Sequence, residues 1–336
     1  MNYLILAYIQ CLAVASKFVT TVSNGPVANI TATTGVTVTC SQLSGTACPG
    51  SMTNGVCTWQ RKLAITCINS NSAVRIRVQS NGLPGRCMSV PSTNTISEQN
   101  VDFEVNFNPT VTVNSPQHSP TTQTALNSII CNITNHQSAP STSNLVTYSQ
   151  QTSLATLAGV SIDNVLILNV NSADNVDPFY PPSGYSAESV DACLAHPQTA
   201  GIYHYHIASG CAVSSPSGNI TSCSQNSACS SDVASYSLTL FPSSAKKLTV
   251  IGIAKDGHVI YGPYLSNGNL VTSGIDICNG MFYDSAGNYA YFATTKYPYI
   301  TGCFGPGNYP SFGPTCTRNG QTSYTKSIYA AVQSGW

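Results

Sequence analysis

The sequence predicts an all-β fold, mainly antiparallel, made of two similar β units and stabilised by disulfides. Three observations predict it. Short runs alternate apolar and polar residues, as in Val36-Thr37-Val38-Thr39-Cys40 and Ala73-Val74-Arg75-Ile76-Arg77-Val78, the period of a half-buried strand. The 336 residues include 14 cysteines, a usage that suits an oxidising compartment. The second half of the chain also repeats itself in order.

Taken from its start, the chain opens on an apolar run, Tyr3 to Val14, broken only by Gln10 and followed by the small-x-small pattern Ala13-Val14-Ala15. This reads as a secretory leader over residues 1–15. Cleavage there removes Cys11 and leaves an odd number of cysteines, one of them free or shared between molecules. Residues 16–70 form a strand-rich N-terminal region, with Asn54-Gly55 as a hairpin signal and Cys40, Cys48, Cys57 and Cys67 as disulfide candidates. The stretch from Phe18 to Thr39 is a candidate assembly segment that adds to a neighbour's sheet edge. Residues 71–336 form the main β domain. Residues 109–152, rich in Ser, Thr, Asn, Pro and Gln, read as a long surface excursion and a candidate carrier of O-linked glycans. A helix of any length has no clear place in the chain.

The repeat spans residues 155–211 and 248–303. Ala158 to Ile167 aligns with Ile251 to Ile260, each a strand, an Asp-Asn or Asp-Gly turn and a second strand. Asp191-Ala192-Cys193 then matches Asp276-Ile277-Cys278, and Gly201-Ile202-Tyr203-His204-Tyr205-His206 matches Gly287-Asn288-Tyr289-Ala290-Tyr291-Phe292. Gly210-Cys211 matches Gly302-Cys303. The equivalent cysteines suggest a repeated disulfide, Cys193 with Cys211 and Cys278 with Cys303, while Cys223 and Cys229 suit a small loop. Both tyrosines recur in the second copy and read as structural. Neither histidine does, so the imidazoles are specific to one site or dispensable.

On a strand, Tyr203 and Tyr205 face one way and His204 and His206 the other. Two histidines at i and i+2 can hold one divalent metal with a third ligand from elsewhere. His196, His258, Asp191 and Asp256 are the candidates for that ligand. The competing reading has the imidazoles hydrogen-bonded to buried backbone or to the Asp turns, with no metal. Asp174, Asn175 and Asp177 resemble a calcium loop, but no Glu follows at the required spacing, and a turn is the better reading.

Composition excludes several classes. Lys and Arg number 12 and Asp and Glu 12, with only 7% of residues charged. No basic patch exists for a nucleic-acid backbone, and low charge favours association between copies. No stretch is long and apolar enough to span a membrane. A nucleophile elbow, a phosphate loop, a His-Glu-x-x-His helix and a C-x-x-C pair are all absent, which points away from a familiar enzyme or a zinc ribbon. Asn29, Asn132 and Asn219 head N-glycosylation sequons.

The motif Tyr203-His204-Tyr205-His206, with Ser80-Asn81-Gly82-Leu83-Pro84, Ile253 to Tyr264, Asp276 to Gly280 and Tyr297 to Cys303, resembles the YHYH-domain family. The resemblance covers residues 73–305 and implies a secreted or surface-exposed β-rich domain, with no reaction attached. Relatives often carry His in the second Tyr-rich strand, where this chain has Ala290 and Phe292. The first expectation is therefore a secreted, glycosylated structural or adhesive protein of a cell surface or extracellular matrix. It would assemble with copies of itself into filaments through β-strand contacts. The alternative is an extracellular metal-binding protein or metal-dependent enzyme centred on His204 and His206. A third is a carbohydrate-binding module that stacks sugars on Tyr297 and Tyr299.

Overall fold

The computed structural model describes residues 3–18, 36–70, 72–91, 94–111, 113, 115, 118–134, 145–150 and 154–330. In chain order these form α1 (Tyr3–Phe18), β1 (Val36–Cys40), β2 (Ser51–Thr53), β3 (Val56–Arg61), β4 (Leu63–Asn69), β5 (Val74–Ser80), β6 (Val101–Asn106), α2 (Gln123–Ile130) and β7 (Leu145–Gln150). There follow β8 (Leu157–Ser161), β9 (Leu166–Leu168), β10 (Ala195–Pro197), β11 (Tyr203–Tyr205), α3 (Ser227–Ser231), α4 (Val233–Thr239), β12 (Val250–Ala254), β13 (Val259–Tyr261), β14 (Gly280–Phe282) and β15 (Tyr289–Phe292). Strands dominate, in three sheets with mainly antiparallel pairing.

The largest sheet has eight strands in the order β10-β11-β9-β8-β12-β13-β15-β14. Its pattern reads the same from either end. β8–β9 and β12–β13 are antiparallel hairpins, β9–β11 and β13–β15 pair in parallel, and β10–β11 and β14–β15 close the ends antiparallel. The central contact sets Ile253 of β12 against Val160 of β8. Each hairpin turns on a left-handed residue, Asn164 at φ 76° and Gly257 at φ 91°. At Gly257 a Cβ would collide with the Asn106 carbonyl, so only glycine fits that turn.

Alternation along the strands separates two cores. On one face, Ile167, Tyr203, Tyr205, Tyr289 and Tyr291 join the larger apolar cluster. On the other, Leu166, Leu168, Ile202, Ile253 and Val259 pack with Ile76 and Val78 of β5 and with Phe103 and Val105 of β6. Those two strands lie at the centre of the four-stranded sheet, ordered β4-β5-β6-β7, which covers the middle of the long sheet. The remaining sheet has three strands, ordered β1-β3-β2. Towards the ends of the long sheet, the face opposite the tyrosines carries His204 on β11, and Ala290 and Phe292 on β15.

Two expectations are corrected here. Helices do form. α1 runs for 16 residues and buries Cys11, Val14 and Phe18 on the second core. α2 starts where the Thr122 side chain accepts from the Ala125 amide, and it buries Leu126 and Ile130 one turn apart. The stretch 109–152 is therefore not only a surface excursion, since it holds α2 and also β7, which pairs with β6. The cysteines of the full chain fall into seven pairs. All 14 pair, with Cys11 bonded to Cys67. The other pairs are Cys40–Cys87, Cys48–Cys57, Cys131–Cys316, Cys193–Cys211, Cys223–Cys229 and Cys278–Cys303. Among the described residues, no helix is long and apolar enough to cross a membrane. Most of the Phe18–Thr39 segment, and Asn29 with it, lies outside the described residues.

Candidate functional site

The site grows out of the β8–β9 turn. Buried Asn164 donates to Asn81 Oδ1 and to the Leu83 carbonyl, both at 2.8 Å, and accepts from Ser80 at 2.7 Å. The Ser80–Pro84 block thus holds the turn from which β9 leads to β11. β11 then presents two chemically unlike faces.

The tyrosine face is a structural lock. The Tyr203 hydroxyl donates to Asp191 at 2.5 Å, and the Tyr205 hydroxyl donates to Asp163 at 3.0 Å. Arg86 reaches Asp163 at 2.6 Å and the Tyr205 oxygen at 2.8 Å. Burial, together with the carboxylates, pushes both tyrosine hydroxyls well above their ordinary range. In the other half the Tyr289 hydroxyl donates to Asp276 at 2.8 Å and that of Tyr291 to Asp256 at 2.6 Å. Asp191 is therefore no partner of the histidines. Its carboxylate is taken by a tyrosine hydroxyl and by the amides of Cys193 and Ala195.

The histidine face is different. The β10–β11 register sets His196 opposite His204. His204 Nδ1 lies 2.8 Å from the Ile202 carbonyl, and His206 Nδ1 lies 2.8 Å from the Asn169 carbonyl. A carbonyl only accepts, so both Nδ1 atoms carry hydrogen and, in the neutral rings, both Nε2 atoms present lone pairs. Those Nε2 atoms face each other at 2.9 Å. Three ligating nitrogens, from His196, His204 and His206, lie within 4.8 Å of one another. Glu188 adds a carboxylate oxygen 3.2 Å from His196 Nε2 and 3.3 Å from His206 Nε2. Neither that oxygen nor His196 Nε2 has a hydrogen-bond partner.

The electrostatics follow from burial. It drives His196 down to about 3 and His204 well below the ordinary imidazole range, with neighbouring imidazoles adding to the effect. Burial alone would raise the Glu188 carboxyl, but contact with His206 outweighs it and the net shift is downward. Imidazole nitrogens and a carboxylate oxygen thus converge at contact distance. Such a set suits a cation.

Of the sequence candidates, the structure brings His196 to His204 and His206 and leaves the rest elsewhere. His258 and Asp256 pair with each other at 2.9 Å in the second half, and His258 Nε2 faces the Pro109 carbonyl. Glu188 escaped the sequence reading, since it sits in coil with no periodic neighbour. A second cluster, His118 with Cys278 and Cys303, offers no thiolates because those cysteines form a disulfide. Asp177 accepts from Tyr299 and Thr317 and from two backbone amides, so it belongs to a turn. Tyr297 and Tyr299 are fully buried and cannot stack on a sugar. Asn219 is exposed and Asn132 half-buried.

Comparison with known proteins agrees with the motif. The family model described as YHYH protein matches residues 102–273. No curated protein and no solved structure matches the chain.

Proposed function

We propose that this chain, which belongs to the YHYH protein family, is an extracellular protein that binds a late first-row divalent ion at His196, His204, His206 and Glu188. One observation carries the reading: two buried Nε2 lone pairs face each other at 2.9 Å, with no hydrogen between them in the neutral state. A cation removes that repulsion. Three imidazoles and a carboxylate suit Zn²⁺, Cu²⁺ or Ni²⁺ and do not suit Ca²⁺ or Mg²⁺, which take oxygen ligands. With metal–nitrogen bonds of about 2.05 Å, a 2.9 Å separation subtends roughly 90°. That angle favours a tetragonal ion, Cu²⁺ foremost, over tetrahedral Zn²⁺.

Secretion behind the 1–15 leader and glycans on Asn132 and Asn219 belong to the same reading, supported by the six disulfides outside the leader and the exposed Asn219. The test is metal analysis and calorimetric titration of the full chain made in an oxidising compartment. One Cu²⁺ per chain is expected, lost in His204→Ala and His206→Ala. A folded wild-type protein that takes up no Cu²⁺, Zn²⁺ or Ni²⁺ refutes the proposal.

A structural, self-associating role is the second reading. It is favoured by β4, which stands at the edge of its sheet, and by a chain with little charge. Light scattering that finds only monomers across a wide concentration range would remove it.

A further inference from the structure

The two halves of the long sheet place unlike side chains at matching positions. His196 lies opposite His204 across β10–β11, and Met281 lies opposite Ala290 across β14–β15. His206 follows β11 where Phe292 ends β15. Met281, Ala290 and Phe292 are buried and pack with Val271 and Ile275 into an apolar cluster. The same backbone therefore closes over hydrocarbon in one half and over ligating nitrogens in the other. Nothing in the sheet requires imidazoles at these positions, so a purely structural ion explains them poorly.

Burial is graded across the centre. Side-chain exposure is 5% for His206, 13% for His196 and 23% for Glu188. His204, deepest on the strand, is 2% exposed. The imidazoles lie deeper and the carboxylate is the most exposed of the four. Glu188 comes from coil flanked by the exposed residues Ala187 and Ser189, and its inward oxygen is held only by its contacts with the His196 and His206 imidazoles.

Resting on the metal reading above, we infer that this is an open-coordination centre, in which three imidazoles retain the ion and an external anionic ligand takes the place of Glu188. The ligand class is a small monodentate anion or a carboxylate. Exchange breaks one metal–oxygen bond and forms one metal–ligand bond, with no change of oxidation state. Catalytic metal sites keep such a position, whereas structural sites are closed.

The test uses Cu²⁺-loaded full-length protein titrated with azide, read by the azide-to-copper charge-transfer absorption. Wild type and Glu188→Gln are compared, since the change at a partly exposed coil residue leaves the core intact. Both are expected to hold one Cu²⁺, Glu188→Gln more weakly because it lacks the carboxylate ligand. Azide is expected to bind Glu188→Gln at least tenfold more tightly. Absence of the band at saturating azide in both proteins, or loss of copper from Glu188→Gln, overturns this inference and leaves metal binding standing. Failure of wild type to bind copper overturns both.

Discussion

Arg86 is the position where the division between the two faces of β11 can be tested most directly. Its side chain is 1% exposed and that of Asp163 5%. It donates at 2.6 Å to Asp163 and at 2.8 Å to Tyr205, with its guanidinium 6.0 Å and 5.9 Å from the rings of Tyr203 and Tyr205. Arg86→Met keeps most of the volume and removes the cation bonded to the Asp163 carboxylate. Leaving a buried charge without its partner costs roughly 3–5 kcal/mol. At about 2 °C per kcal/mol for a chain of this size, the melting temperature should fall by roughly 6–10 °C. Thermal unfolding followed by near-ultraviolet circular dichroism measures the fall, and copper titration of the folded variant gives the second readout. Copper affinity should stay within about threefold of wild type, because the histidines lie on the opposite face. A fall under about 2 °C would refute the assigned role of the buried pair. Unchanged stability with weakened copper binding would refute the division of faces.

Other outcomes follow from the same structure. Asn164→Ala removes three buried hydrogen bonds from a left-handed position; a loss of about 2–4 kcal/mol is expected in denaturant titration, and a loss below about 1 kcal/mol would contradict it. Tyr203, Tyr205, Tyr289, Tyr291, Tyr297 and Tyr299 all have hydroxyls raised well above the usual range by burial. Their folded pKa values exceed the unfolded value near 10, so their contribution is complete below about pH 10 and is lost as pH rises. Six such groups give roughly 8 kcal/mol per pH unit above about pH 10. The last of the tyrosinate absorbance should then appear only together with unfolding, and full ionisation of all 18 tyrosines in a folded protein would refute the sign.

Much of this was legible because strand alternation is a local property. Tyr203 and Tyr205 recur as Tyr289 and Tyr291, and all four prove buried. The two imidazoles had to share the other face. Of their partners, His196 stood among four named candidates and Glu188 was missed, because a ligand set depends on register between strands and on where coil returns. His196 joins through the β10–β11 register, and Glu188 through a loop with no period to read. Asp191 and Asp256 looked available beside histidines, yet tyrosine hydroxyls claim both. α1 escaped as a helix because an apolar run carries no 3.6-residue contrast between faces.

The Cys11–Cys67 bond bears directly on the proposed cleavage of residues 1–15. A cut after Ala15 severs the peptide backbone but not the crosslink. If oxidation comes first, the excised leader stays attached as a second short chain. If cleavage comes first, Cys67 emerges with no intramolecular mate and is available to another thiol. The mass of the mature product under non-reducing conditions therefore records the order of the two events.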